Sequence, residues 1–129
     1  MWPNLCAPIY YEVKQVKFII DHLSSGHSFL YLIDEIFRGT NNRERLLGSQ
    51  AVIRQLLTSP TALGLITTHD LELTQLEKDF SSLENGHFRD EIRPNEQGLH
   101  FSYQYHLGPC PTTNALKIMA AEGLPIPQI

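Results

Sequence analysis

Two stretches decide the fold: Phe29-Leu30-Tyr31-Leu32-Ile33-Asp34-Glu35 and Ala62-Leu63-Gly64-Leu65-Ile66-Thr67-Thr68-His69-Asp70. Each is a short, continuous apolar run that ends abruptly in polar groups. Continuous hydrophobicity, as opposed to strict alternation, is the pattern of a strand covered on both faces, as in parallel sheets. Between the two runs, residues 43–58 carry Leu46, Leu47, Ala51, Ile53, Leu56 and Leu57 as a broad helical stripe. Asn41 or Asn42 can cap that helix, and Ser59-Pro60 stops it. Strand, helix and strand in this order form a βαβ unit with a right-handed crossover, so the fold class is α/β.

Upstream, Ile9, Val13, Val16, Ile20 and Leu23 recur at helical spacing behind Pro8, and Ser24-Ser25-Gly26 ends that helix. Downstream, Leu71, Leu73 and Leu76 suggest a short helix. Residues 87–93 and 99–107 then flank Pro94-Asn95-Glu96-Gln97-Gly98 as an antiparallel hairpin. Alternation in its second arm puts Phe101, Tyr103 and Tyr105 on one face, a packing pattern more than a base-stacking one. A terminal helix runs from Thr112 or Thr113 to Ala121, with Gly123 as its stop.

Composition narrows the class. The chain has 129 residues, enough for one domain at roughly 100–200 residues each. Hydrophobic residues make up 42% and charged residues 19%, so a core can be buried. Ten Lys+Arg against fourteen Asp+Glu leave a charge of −4, which argues against a free-standing electrostatic binder of nucleic acid. Cys6 and Cys110 are far apart and lack the spacing of a zinc site or a disulfide framework. No apolar run approaches the roughly 18 residues of a membrane span. The N-terminus lacks the pattern of a signal peptide. The expected location is the cytoplasm.

Ligands of open α/β sheets bind at the carboxyl ends of the strands. Here those ends carry Asp34-Glu35 and His69-Asp70, which converge if the strands are adjacent. An apolar strand ending in Asp-Glu has the form of a Walker B segment. The first acid of such a pair holds the Mg²⁺ shell of a nucleotide, usually through water; the second orients or deprotonates the attacking water. A histidine on the next strand end can hydrogen-bond a phosphate oxygen. Each motif taken alone also fits a solvated strand end or an ordinary loop histidine.

In combination, Leu32-Ile33-Asp34-Glu35-Ile36-Phe37-Arg38-Gly39-Thr40-Asn41 and Thr67-Thr68-His69-Asp70-Leu71-Glu72-Leu73 closely resemble the C-terminal ATPase domain of the MutS family. The match looks closer to short bacterial MutS-related ATPases than to the full mismatch-recognition protein. Tyr10-Tyr11-Glu12 through Asp21 resembles the helix after that family's signature loop. Residues 105–110, 112–116 and 123–125 resemble its closing segment. The resemblance implies a partial P-loop (ABC-type) ATPase sheet followed by a hairpin and a C-terminal helix. Residues 9–129 would be the C-terminal half of that domain, with 1–8 matching nothing.

The same resemblance implies roles. Asp34 would be the magnesium acid and Glu35 the catalytic carboxylate. His69 would be the switch histidine near the γ-phosphate. Gly39, Thr40 and Asn41 would form the loop that reaches a partner subunit's site, and Glu12 the acidic end of the signature region. ATP and Mg²⁺ would be the cofactors. The parent activity would be ATP hydrolysis coupled to mismatched-DNA binding and mismatch repair, in a dimer.

Two departures qualify these roles. None of Lys14, Lys17, Lys78 and Lys117 follows a glycine, so the phosphate-binding loop G-x-x-x-x-G-K-[ST] is missing. Ala7 stands where the signature loop usually carries serine. Loss of several charge-assisted phosphate contacts, about 1.5–3 kcal/mol each, leaves the chain alone with millimolar or no nucleotide affinity. The expectation is a truncated domain that self-associates or needs a chain supplying the Walker A half and the missing strands, with little DNA binding of its own. Two other readings stay open: a non-enzymatic remnant or interaction module, and a small metal-dependent phosphohydrolase using Asp34, Glu35 and Asp70. Arg38 either touches phosphate or braces its loop. The other histidines have no metal spacing.

Overall fold

The computed structural model describes residues 7–92, 99–111 and 115–127. It divides into two units, 1–83 and 84–129.

The first unit holds the βαβ element. Helix α1 (Ala7–His22) precedes strand β1 (Phe29–Ile33), helix α2 (Asn42–Leu56), strand β2 (Ala62–Ile66) and a 3-10 helix (Leu71–Lys78). β1 and β2 pair in parallel, with Phe29 opposite Ala62 and Ile33 opposite Ile66. The parallel pairing of the two apolar runs agrees with the reading of the sequence.

Both-face burial does not hold. Phe29, Tyr31 and Ile33 are half-buried, whereas Leu30 and Leu32 are exposed, and β2 repeats the alternation with Leu63 and Leu65 exposed. The register places Leu30 beside Leu63 and Leu32 beside Leu65. One face of the two-stranded sheet is therefore a bare leucine patch, and the helices cover the other. The helical stripes are also narrower than the spacing suggests. Val16 is buried in α1 while Val13 is exposed; Ile53 and Leu56 are buried in α2 while Leu47 is exposed.

The core gathers Val16, Ile36, Phe37, Ile53, Leu73 and Leu76, with Ile9, Ile20, Ile33, Leu46 and Ile66 packed around them. Ile36 and Phe37 come from the turn after β1, where burial of two large side chains removes apolar area from water. The polar loop is thus anchored by its own middle. Phe37 takes φ 55° and its ring lies against Gly48, where a Cβ would sit at 3.4 Å.

The second unit is an interrupted antiparallel ribbon. β3 (Gly86–His87) pairs with β6 (His106–Leu107), and β4 (Asp90–Ile92) pairs with β5 (Leu99–Phe101). Two residues, 88–89, lie between β3 and β4, and four, 102–105, between β5 and β6. The second arm thus carries two extra residues, and Tyr103 absorbs them at φ 54°. The bulge interrupts the strand, and Phe101, Tyr103 and Tyr105 are all exposed and not packed away as the pattern suggests. The turn at 94–98 and the start of the last helix at Thr112 or Thr113 lie outside the described residues. Helix α3 (Ala115–Ala121) ends at Gly123, whose φ of 87° and hydrogen bond to Ala120 O make the expected left-handed stop.

Candidate functional site at the carboxyl ends of β1 and β2

β1 delivers Asp34 and Glu35, and β2 delivers Thr67, Thr68, His69 and Asp70. Parallel pairing brings both sets to one end of the sheet, and it extends one residue past β2, because Thr67 N–H donates to Ile33 O at 2.9 Å. The Thr67 hydroxyl then donates to Asp34 Oδ1 at 2.6 Å and accepts the Glu35 N–H at 2.8 Å. His69 Nε2 lies 2.9 Å from Glu35 Oε1. Against an ionised Glu35 the imidazole nitrogen is the donor. Asp34, Glu35 and His69 therefore stand together, as the strand-end reading expects.

Asp70 does not join them. Both of its carboxylate oxygens accept from Arg45 on α2. The hydrogen bond to that guanidinium holds the Asp70 carboxyl below the usual carboxylate range, and the same bond raises Arg45. A carboxylate engaged twice by a guanidinium is a poor metal ligand, so the arrangement does not favour the phosphohydrolase reading that used it.

The turn after β1 is braced from three sides. Glu35 takes φ 51°, a sparsely populated region for a residue with a side chain. Its carbonyl accepts Arg38 N–H at 3.3 Å. Arg38 Nη1 approaches Glu35 Oε2 at 3.6 Å, and Arg38 N–H also donates to Glu12 Oε1 at 3.2 Å. Of the two roles open for Arg38, bracing is the one with contacts. Glu12 ties α1 to the same loop.

Gly39, Thr40 and Asn41 lead into α2. A Cβ at Gly39 would lie 3.1 Å from Ile9 N, so the loop passes too close to α1 for a larger residue without movement. Thr40 Oγ1 donates to Glu44 Oε2 at 2.6 Å, and Asn41 Oδ1 accepts Glu44 N–H at 2.9 Å as the N-cap. Of the two asparagines, Asn41 is the cap.

A pocket of about 250 Å³ lies between α1 and the end of β1, bordered by Glu12, Val16, Ile33, Asp34 and Arg38. Among the described residues no three His, Cys, Asp or Glu side chains could hold a metal ion. Mg²⁺ retains several waters and binds through one or two carboxylates plus phosphates. Asp34, with one oxygen on Thr67 and no other side-chain partner among the described residues, has the hard donor chemistry that suits it.

Two residues of this site escape the sequence reading. Thr67 reads there only as the end of the second apolar run, and Arg45 is given no role. Their partners lie 32 to 33 and 25 residues away. The available signal was a hydroxyl at one strand end facing acids at the other.

Comparison with known proteins gives one family. The model described as MutS domain V matches residues 7–129. The mouse protein named MutS protein homolog 4 is 36% identical over 119 residues, covering 88% of this chain and 12% of its own. The DNA mismatch repair protein MutS of Leuconostoc citreum is 35% identical over 96 residues, or 74% of this chain and 11% of its own. The DNA mismatch repair protein MutS of Aquifex pyrophilus is 29% identical over the same shares. The chain thus spans only about a ninth of the length of these relatives. With its domain V sequence and the acid–histidine strand ends assembled on a βαβ unit, the chain belongs to the MutS family.

Proposed function

We propose that this chain carries the magnesium-acid and switch-histidine part of a MutS-type ATPase site. In the whole protein that site would couple ATP binding and hydrolysis to mismatched DNA. Asp34 would hold the water shell of Mg²⁺, Glu35 would orient the attacking water and accept its proton, and His69 would read the γ-phosphate. When bound, Mg²⁺ supplies charge neutralisation on the phosphates. The phosphate-binding loop comes from sequence other than these residues, because no lysine here follows a glycine.

One observation carries this reading: the 2.9 Å contact between His69 Nε2 and Glu35 Oε1 across the parallel strand pair. It puts a proton donor on the carboxylate that must handle water. While His69 donates to Glu35, one lone pair of that oxygen is engaged and cannot accept from water. Release of His69 toward a phosphate oxygen frees it. The side chain of His69 is 89% exposed, so nothing packs it in its present position. Gly39, Thr40 and Asn41 lie beside this site and are proposed to reach a second subunit.

The test is equilibrium MgATP binding to the purified chain, with Asp34→Ala and Glu35→Gln. The expected result is weak, millimolar, Mg²⁺-dependent binding that Asp34→Ala removes and Glu35→Gln retains. Binding indifferent to Asp34→Ala, or no binding at millimolar ATP, would overturn the reading for this chain.

A further inference from the structure

The Thr67 hydroxyl occupies an unusual place. It has one proton and two lone pairs, and both functions are in use at once. The proton goes to Asp34 Oδ1 at 2.6 Å, and a lone pair takes the Glu35 N–H at 2.8 Å. The Thr67 backbone is itself fixed on Ile33 O, the carbonyl just before the two acids. Three bonds from one residue therefore seize three consecutive residues, the last of β1 and the two acids after it.

We propose that Thr67 is a positioning residue for the two acids. Glu35 sits at φ 51°, a backbone state that persists only where its surroundings over-determine it. The Thr67 oxygen supplies that determination from 32 residues away. By donating to Oδ1 it also fixes the rotation of the Asp34 carboxylate, leaving Oδ2 as the oxygen for a hydrated cation. Valine has nearly the same shape but can neither donate nor accept. Alanine lacks the group entirely. Only serine keeps both functions. His69 is two residues further on and contacts the Glu35 side chain. The β2 end thus grips Glu35 by its backbone through Thr67 and by its carboxylate through His69. Movement of His69 leaves the first grip in place.

This inference rests on the proposed role of Asp34 only in its cation arm, and the two can be tested apart. The experiment is NMR on the full chain, comparing wild type, Thr67→Val, Thr67→Ala and Thr67→Ser. One readout is exchange protection of the Glu35 amide. The other is Mn²⁺-induced broadening at the Asp34 and Glu35 amides. Thr67→Val and Thr67→Ala are expected to lose protection by about tenfold, since one hydrogen bond of about 1.4 kcal/mol is one decade. They are expected to weaken the Mn²⁺ response by a similar factor. Thr67→Ser is expected to restore both.

Unchanged protection in the valine and alanine variants would overturn the proposal. So would lost protection with an unchanged Mn²⁺ response. Unfolding of both variants would assign Thr67 to the fold as a whole and overturn it as well. Wild type that shows no Mn²⁺ broadening would refute the reading of Asp34 as a magnesium acid; the Glu35 exchange data would then decide the Thr67 proposal alone.

Discussion

Arg45 and Asp70 face each other through two parallel hydrogen bonds, Nε to Oδ2 at 2.7 Å and Nη2 to Oδ1 at 2.8 Å. Bidentate geometry of this kind adds direction as well as energy. Arg45 Nη2 also donates to Asn42 Oδ1 at 2.8 Å, so the guanidinium bridges the first turn of α2 and the loop that carries His69. Both side chains are only about one-fifth exposed, at 23% and 19%. The pair joins the first turn of α2 to the loop after β2 without touching Asp34 or Glu35.

The pH dependence of stability follows from that pair. The Arg45 hydrogen bond holds the Asp70 carboxyl below its ordinary value. A carboxylate with a depressed folded-state pKa contributes stability that is present above its unfolded value, about 3.9. That contribution is lost as the pH falls through the folded value. Asp70→Asn is therefore expected to lower the urea midpoint at neutral pH, and its deficit against wild type is expected to shrink below about pH 4. A deficit that stays constant from neutral pH down to about pH 3 would show that the pair does not act through charge.

A second prediction concerns Tyr31 and Gly64, which are directly opposite in the β1–β2 register. The Tyr31 ring lies over Gly64, so a Cβ there would collide with it. Burial pushes the Tyr31 phenol up from its ordinary value. Gly64→Ala is expected to displace the ring, destabilise the first unit by about 1–3 kcal/mol, and bring the phenol back toward about 10. Because the folded value is raised, the stability linked to this phenol is intact below about pH 10 and declines above it. Urea denaturation with an NMR titration of the assigned tyrosine would check both. An unmoved Tyr31 titration in the alanine variant would mean that the ring is not seated on Gly64.

The limits of the sequence reading are physical. The β1–α2–β2 order was legible because apolar runs of five residues and a capped helix are local signals. The leucine face was misread because an apolar run reports that a strand becomes covered, not which residues cover it. The second hairpin arm was misread because a two-residue bulge at Tyr103 leaves no mark on the alternation. At the site, Asp34, Glu35 and His69 were legible from motif resemblance. Thr67 and Arg45 were not, because a long-range hydrogen bond has no spacing signature.

The leucine face has its own consequence. Leu30, Leu32, Leu63 and Leu65 are 61–73% exposed and adjacent. Each leucine taken from water is worth about 1.5–3 kcal/mol, so the isolated chain is expected to associate with itself at micromolar concentration. Sedimentation velocity should show concentration-dependent oligomers that Leu32→Lys with Leu65→Lys dissolves. A monodisperse monomer across the concentration range would mean that the patch is too small to hold two copies together.

The last prediction separates two roles for Asn41, which resemblance assigns to a loop reaching a partner and geometry places as the cap of α2. Its side-chain oxygen accepts Glu44 N–H at 2.9 Å with φ −71° and ψ 164°, the extended backbone of an N-cap. Loss of such a cap costs about 0.5–2 kcal/mol, while Asp or Ser preserves it. Asn41→Ala is thus expected to lower stability by about 1 kcal/mol, and Asn41→Asp to leave it nearly unchanged. Aspartate also suits the helix dipole, since a negative charge in the first turn is favourable. The stability series measures the cap alone. If Asn41→Asp keeps wild-type stability yet alters self-association or nucleotide binding, the residue does both jobs. If Asn41→Ala is as stable as wild type, the cap contributes nothing and Thr40 with Glu44 holds the turn.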